Sequence, residues 1–316
     1  MGPRLRAPGG AASTRLRASR RAALLLAALV IAFFAAGCAS SPPPADIAKQ
    51  WYELGNSWLD KKEWKKAGEA YSKALAIDPS LAGASYNLAR ALAAAGDYEG
   101  SLRALDALAK RDPGNVRVAV ARAYALYRKG DTAAALAAYR AVLALDPYAP
   151  DAVYNVALLE LATGDAAAAA ADLERLSVAA PDDAQVLLTL GRARDKLGQA
   201  DAALAAFEGA RTLGKADAET LARMGELYEA AKKYTEAMDA FAAATKADAK
   251  RAGAWFALAR LRLVVASDSE QGLAALKGAL DAGFSDKKAA TDLLDEPDLP
   301  EREKVQELLK AKGLAE

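Results

Sequence analysis

Four prolines stand at one fixed interval in the middle of this chain: Pro79, Pro113, Pro147 and Pro181 are each 34 residues from the next. Four glycines keep the same step, namely Gly96, Gly130, Gly164 and Gly198. Proline cannot continue the interior of a helix, and glycine accepts the left-handed conformation that ends one. The two residue types therefore mark two alternating turns, and the interval predicts a pair of helices every 34 residues.

The residues between these turns favour helix over strand. No run beyond the N-terminus alternates apolar and polar side chains in the manner of a half-exposed strand. The 316 residues would make a large single core, but a repeat array avoids that limit because each unit packs only against its neighbours. We therefore expect an all-α chain.

Three positions recur along the repeats with side chains of one kind, the first in all seven repeats and the other two in the first six. The first helix has a small residue, the second helix has another, and a bulky apolar residue follows it. We expect the small residues to let paired helices approach closely and the bulky ones to pack between units. In chain order the three sets are Gly55, Ala89, Ala123, Ala157, Gly191, Gly225 and Ala259; Ala67, Ser101, Ala135, Ala169, Ala203 and Ala237; and Tyr71, Leu105, Tyr139, Leu173, Phe207 and Phe241.

Residues 48–81 resemble the consensus of the tetratricopeptide (TPR) repeat, W-x2-L-G-x2-Y followed by A, F, A and P. The resemblance implies a right-handed α-solenoid superhelix of about seven repeats over residues 48–284. The later repeats start near residues 82, 116, 150, 184, 218 and 252, and the seventh has about one extra residue near residues 267–270. Residues 285–316 are expected to form one or two short capping helices. The consensus positions are filled by Trp51, Leu54, Gly55, Trp58 (in place of Tyr), Ala67, Tyr71, Ala74 and Pro79.

The N-terminus has the pattern of an export signal. Six arginines precede a stretch of 15 apolar residues at 22–36, which is shorter than the roughly 20 that span a bilayer, so residues 1–37 read as a signal peptide. Ala35-Ala36-Gly37-Cys38 resembles the lipobox of bacterial lipoproteins, which implies that Cys38 becomes the lipidated first residue of the mature chain. Residues 38–47 would then be a Ser/Pro tether. A buried thiol, or a cysteine beside an uncleaved anchor, is the alternative interpretation of Cys38.

Composition restricts the chemistry that this chain can perform. It has no histidine and one cysteine, so nucleophile–histidine catalysis and the commonest transition-metal site are excluded. The chain has 42 basic and 41 acidic residues, and six of the basic ones lie before the apolar stretch, so the remainder is net negative and a poor match for nucleic acid. We predict no enzyme activity, no cofactor, no metal and no nucleic-acid partner.

The TPR resemblance also implies where a partner would bind. In that family, extended ligands lie on the concave side, against positions 2, 5, 6, 9 and 12 of the first helices. The sixth repeat offers Glu219, Glu226 and Glu229 there, and a partial match to the carboxylate-binding clamp leaves a C-terminal carboxylate as one possible ligand. The other predicted groove residues are Tyr52, Asn56, Tyr86, Asn87, Arg90, Arg117, Tyr124, Tyr127, Tyr154, Asn155, Arg192, Phe256 and Arg260.

These features together predict a lipid-anchored scaffold or adaptor that binds protein or peptide partners. We expect it in the bacterial cell envelope, attached through Cys38 to the outer membrane and facing the periplasm or the cell surface. Assembly of an envelope complex is the expected role. A cell-surface or periplasmic transport-accessory protein is the alternative.

Overall fold

The computed structural model describes residues 5–6 and 43–316 of the chain, and the described part contains helices and no strand. The rest of the predicted signal peptide and Cys38 lie outside the described residues. The helices are α1 Pro44–Asp60, α2 Trp64–Ile77, α3 Ala82–Ala95, α4 Tyr98–Arg111, α5 Val116–Lys129, α6 Thr132–Leu145, α7 Pro150–Thr163, α8 Ala166–Ala179, α9 Ala184–Lys196, α10 Ala200–Thr212, α11 Ala218–Ala230, α12 Tyr234–Ala247, α13 Ala252–Arg260, α14 Ser269–Asp281, α15 Lys287–Leu294 and α16 Arg302–Lys310.

The two kinds of turn lie where the sequence predicts them. Gly96, Gly130, Gly164 and Gly198 all have positive φ and end the first helix of a repeat. In three repeats an aspartate follows the glycine and caps the next helix: the Asp97, Asp131 and Asp165 carboxylates accept a backbone N–H from the residue three positions on. The prolines stand just after the second helices, so each repeat is a helix pair.

The small and bulky positions form the core. All the predicted small residues are buried, and the six bulky residues are at most 2% exposed. A Cβ at Gly55, Gly191 or Gly225 would come within 2.7 Å of the ring of Tyr71, Phe207 or Phe241 respectively. The glycines are therefore required by the close approach of an aromatic ring from the partner helix.

The chain divides into two compact units, residues 1–163 and 164–316. Unit 1 contains α1 to α7 and unit 2 contains α8 to α16. Within each unit consecutive helices pack against each other in antiparallel pairs, as in an α-solenoid. The two short helices α15 and α16 contribute Leu293, Val305 and Leu309 to the apolar core of unit 2, so they cover its last helix pair.

Two boundaries differ from the sequence prediction. Helix α1 begins at Pro44, because a proline in the first turn has no N–H to leave unpaired, so residues 44–47 belong to the helix and not to the tether. The extra residue of the seventh repeat is absorbed one turn before residues 267–270. It lies in a π-helical turn, Leu261–Val265, where Ala266 N–H donates to the Leu261 carbonyl.

In the described part of the chain, no helix combines the length and the apolar character needed to cross a bilayer. The apolar residues 22–36 and Cys38 lie outside the described residues, so the signal peptide and the lipidation site stay predictions.

Candidate functional site

The first polar cluster of unit 1 joins repeats 1 and 2. The carbonyl oxygen Oδ1 of Asn56 accepts the Tyr71 hydroxyl at 2.8 Å and the Asn87 side-chain amide at 2.9 Å. A guanidinium nitrogen of Arg90 donates to Asn87 Oδ1 at 3.5 Å. Burial raises the pKa of Tyr71, so its hydroxyl keeps its proton and donates. Each of these predicted groove amides is thus engaged by neighbouring side chains.

Arginine and tyrosine meet twice on the following repeats. The Arg117 guanidinium lies over the Tyr86 ring, 4.3 Å from its centroid. The Arg128 guanidinium donates to the hydroxyls of Tyr124 and Tyr98, each at 3.1 Å. Such cation–aromatic contacts hold long side chains in place at a partly exposed surface. Tyr124 is half-buried, so part of it remains accessible to solvent.

The third cluster is built by α7. Asp151, Tyr154 and Asn155 stand at positions i, i+3 and i+4, so they share one face of the helix. Asn155 is fully buried, and its side-chain amide donates to the Tyr139 hydroxyl of α6 at 3.0 Å. Burial raises the pKa of Tyr139, so that hydroxyl stays protonated and the contact persists at neutral pH. Tyr139 therefore fixes the orientation of Asn155.

A segment from the N-terminus of the chain lies against this face. Backbone N–H of Arg6 donates to Asn155 Oδ1 at 2.7 Å, and Asn155 Nδ2 donates to the Arg6 carbonyl at 2.9 Å. The Arg6 guanidinium lies 4.4 Å from the centroid of the Tyr154 ring and 3.8 Å from Asp151 Oδ1. Leu5 is 8% exposed, within the apolar cluster of α5, α6 and α7. The α7 face thus binds residues 5–6 through both backbone and side chains.

Unit 2 presents a different surface, dominated by ion pairs. Arg223 makes two bonds of 2.8 Å to the Asp195 carboxylate and one of 2.6 Å to Glu226. Arg260 pairs with Glu229. Two of the three glutamates predicted to make the sixth repeat acidic are therefore paired with arginine.

Two other predicted residues of unit 2 are also in contact with their own chain. Phe256 is buried and stacks on Phe284, with ring centroids 4.0 Å apart, so little of it is accessible to a partner. Arg192 is exposed and lies 3.9 Å from Asp217, the carboxylate that caps α11. Burial alone would raise the pKa of Asp217, but the backbone N–H of Thr220 and the charge of Arg192 bring it below its usual value. No group of side chains suited to a metal ion occurs among residues 5–6 and 43–316.

Sequence reasoning missed the second role of the bulky tyrosines. Tyr71 and Tyr139, assigned to core packing alone, also bond groove amides: the Tyr71 hydroxyl donates to Asn56, and the Tyr139 hydroxyl accepts from Asn155. The sequence carries a signal for this, since Tyr71 and Tyr139 are the two bulky residues with a hydroxyl and the two with an asparagine 16 residues later. The contact of residues 5–6 with α7 has no such signal, because 149 positions separate Arg6 from Asn155.

The comparisons with known proteins agree with this geometry. Models of the tetratricopeptide repeat match residues 48–81, 86–150, 154–219 and 218–251, which is more than half of the chain. No curated protein matches the sequence.

Three solved structures illustrate the likeness. PilF of Pseudomonas aeruginosa has a TM-score of 0.56 and 19% identity, over 64% of this chain and 92% of that one. PilW, described as a widely conserved type IV pilus biogenesis factor, has a TM-score of 0.54 and 18% identity, over 63% and 93%. YrrB, described as a TPR protein with an unusual peptide-binding site, has a TM-score of 0.54 and 22% identity, over 60% and 98%. At these identities the likeness is one of fold.

Proposed function

We propose that this chain, which belongs to the tetratricopeptide repeat family, is a lipid-anchored scaffold of the bacterial cell envelope that holds a protein or peptide partner against its first helices. The observation that carries the proposal is the Asn155 side chain, which binds the N–H and the carbonyl of one residue in an extended segment. A buried amide used in this way recognises backbone, which every peptide has. The proposed role is therefore binding and not catalysis.

The side chains around the amide suit a protein partner. Tyrosine and arginine are the residue types that contribute most at interfaces, and α5 of unit 1 pairs Arg117 with Tyr86 and Arg128 with Tyr124. These pairs are already ordered by their mutual contacts, so a partner would lose less side-chain entropy on binding. Unit 1 is accordingly the proposed binding surface.

The envelope location rests on the N-terminal sequence. The arginines, the apolar residues 22–36 and Cys38 together have the pattern of a lipoprotein signal. The fold likeness to PilW, described as a pilus biogenesis factor, is in keeping with a role in assembling an envelope complex. We propose assembly of such a complex as the function.

Photocrosslinking tests the binding surface. A photoreactive amino acid replaces Tyr124, which is half-buried on α5, and in a control chain it replaces the exposed Arg103 on α4. Crosslinked proteins are recovered from cells and identified by mass spectrometry. We expect a partner to be captured from position 124 and not from position 103. Capture from position 103 alone would refute binding at the first helices.

Metabolic labelling with a fatty acid tests the anchor. We expect label in the parent chain and none in a Cys38→Ala chain, which should also leave the membrane fraction. A labelled Cys38→Ala chain would contradict lipidation at this residue. Protease treatment of intact cells then separates the periplasmic scaffold from the cell-surface alternative, since only a surface protein is digested.

A further inference from the structure

We propose that the α7 face of unit 1 is a binding site for an extended peptide segment in which an apolar residue is followed directly by arginine. The inference rests on the proposed function and names the chemistry of the partner. Residues 5–6 of the chain, Leu5-Arg6, occupy the site and show the pose. The partner is a second polypeptide with the same pair of residues.

Backbone recognition comes from Asn155. Its amide makes three hydrogen bonds: two with the N–H and carbonyl of Arg6, and one with the Tyr139 hydroxyl. With residues 5–6 in place Asn155 is fully buried, so the polar atoms of its amide are paired inside the protein. The pair of bonds to one residue requires that residue to lie outside a helix, since helical backbone uses its N–H and carbonyl internally.

Side-chain recognition sets the residue order. Arg6 lies between the Asp151 carboxylate and the Tyr154 ring, which together favour a planar cation. Leu5 enters an apolar cluster that includes Val120, Tyr139 and Val156, where a charged side chain would be desolvated without a partner. The apolar residue must therefore precede the arginine.

The equivalent position in repeat 2 shows that this site is specific to repeat 4. Asn87 and Asn155 occupy the same position of their repeats, each 16 residues after a buried tyrosine. The Asn87 amide donates to Asn56, and its Oδ1 accepts from Arg90. In Asn87 the amide nitrogen and the carbonyl oxygen are both bonded to side chains of repeats 1 and 2. In Asn155 the same two groups bond the backbone of Arg6.

Removal of the signal peptide would make the site available. Residues 5–6 lie within residues 1–37, which the proposed processing at Cys38 removes. The Asn155 amide then keeps its bond to Tyr139 and loses both bonds to Arg6. A partner segment of the same chemistry restores them.

Fluorescence anisotropy with the full chain in detergent tests the proposal. Leu5→Glu and Arg6→Glu together vacate the site, and the probe is a labelled peptide with the sequence of residues 1–9. We expect the vacated chain to bind this peptide more tightly than the parent chain, in which residues 5–6 compete. We also expect Asn155→Ala in the vacated chain to weaken binding by about tenfold or more, because both backbone bonds are lost.

Matched controls separate recognition from loss of structure. Asn87→Ala in the vacated chain should leave the affinity unchanged, and a peptide with Leu5 and Arg6 interchanged should bind more weakly than the probe at equal charge. If Asn155→Ala lowers the helix content, Asp151→Arg replaces it as the test. This substitution should weaken binding of the probe and strengthen binding of a peptide with glutamate in place of Arg6.

The proposal is overturned if the vacated chain does not bind the probe, or if binding is indifferent to residue order and to the α7 substitutions. Partner capture from position 124 in such a case would leave the scaffold function standing and remove only the peptide chemistry assigned here. Failure of both experiments would remove the scaffold function as well.

Discussion

At Gly191 the first helix of repeat 5 has no room for a methyl group. A Cβ there would lie 2.4 Å from two ring atoms of Phe207. We expect Gly191→Ala to lower the free energy of unfolding by about 1–3 kcal/mol, because the clash outweighs the gain in helix propensity. Urea unfolding followed by circular dichroism measures the change.

Two further variants separate the clash with Phe207 from the general effect of replacing a helical glycine by alanine. Gly253→Ala, at an exposed helical glycine with nothing within 4 Å of the new Cβ, should stabilise by about 0.5–1 kcal/mol. Phe207→Leu in the Gly191→Ala chain should recover part of the loss, since repeat 2 combines Ala89 with Leu105 in the same core. A Gly191→Ala chain as stable as the parent would show that the ring moves aside at no cost.

At the residue scale, the repeat position of a side chain could be predicted from the sequence, and its contacts only in part. Tyr154 and Asn155 were predicted to face a ligand from their positions in the repeat; in the structure both contact Arg6 of the same chain, and their role toward a partner stays a prediction. The identity of that segment could not be predicted, because the contact joins residues 149 positions apart and no periodicity relates them. Phe256 was predicted on the same rule, but its stacking partner Phe284 lies beyond the last regular helix pair, where the repeat gives no guidance.

At the scale of the element, the second helices differ in whether a side chain caps their first turn. Asp131 and Asp165 cap α6 and α8, whereas Lys233 precedes α12 and makes no capping bond. We expect Lys233→Asp to stabilise the chain by about 1 kcal/mol, because its carboxylate would accept a free N–H of the first turn. Thermal or urea unfolding measures this, with Lys233→Ala as the control that should change little. Equal stability of the two variants would contradict the capping argument.

The helix boundaries were predictable because proline and glycine act locally on the backbone. The π-helical turn at Leu261–Val265 was not located correctly, since its residues are compatible with an ordinary α-helix. The turn packs tightly against the next helix, since a Cβ on Gly272 would be 2.6 Å from Leu263 Cγ. The first position with positive φ after the turn is Ser267, one residue later than the 34-residue spacing requires, which places the extra residue before it.

At the scale of the whole molecule, the two units differ in the surface they offer. Unit 1 combines aromatic, amide and arginine contacts with ion pairs such as Arg122 with Asp106, whereas unit 2 carries mainly arginine–carboxylate pairs such as Arg223 with Asp195. Exposed ion pairs contribute little stability and weaken with salt. A change in salt concentration should therefore alter the free energy of unfolding little through these pairs.

Partly and fully buried tyrosines make the stability of the molecule sensitive to high pH. The Tyr228 hydroxyl donates to Glu208 Oε1 at 2.8 Å, and burial together with that carboxylate raises the pKa of Tyr228 from 10.0 to about 12. The unfolded chain therefore loses this proton near pH 10 and the folded chain near pH 12. Between these values the unfolded state binds fewer protons, so the free energy of unfolding falls as the pH rises. Below pH 10 the contribution is fully present.

Replacing the titrating hydroxyl isolates this effect. Tyr228→Phe should show a shallower loss of stability across the alkaline window than the parent chain, because one raised pKa is gone. Tyr71 and Tyr139, whose pKa values burial also raises, should keep a residual slope in that variant. Urea unfolding at a series of pH values, with tyrosinate absorbance of the folded chain as a second measurement, gives both slopes. A slope unchanged by Tyr228→Phe would mean that Tyr228 ionises alike in the folded and unfolded chains, and that the Glu208 contact has no effect on its proton.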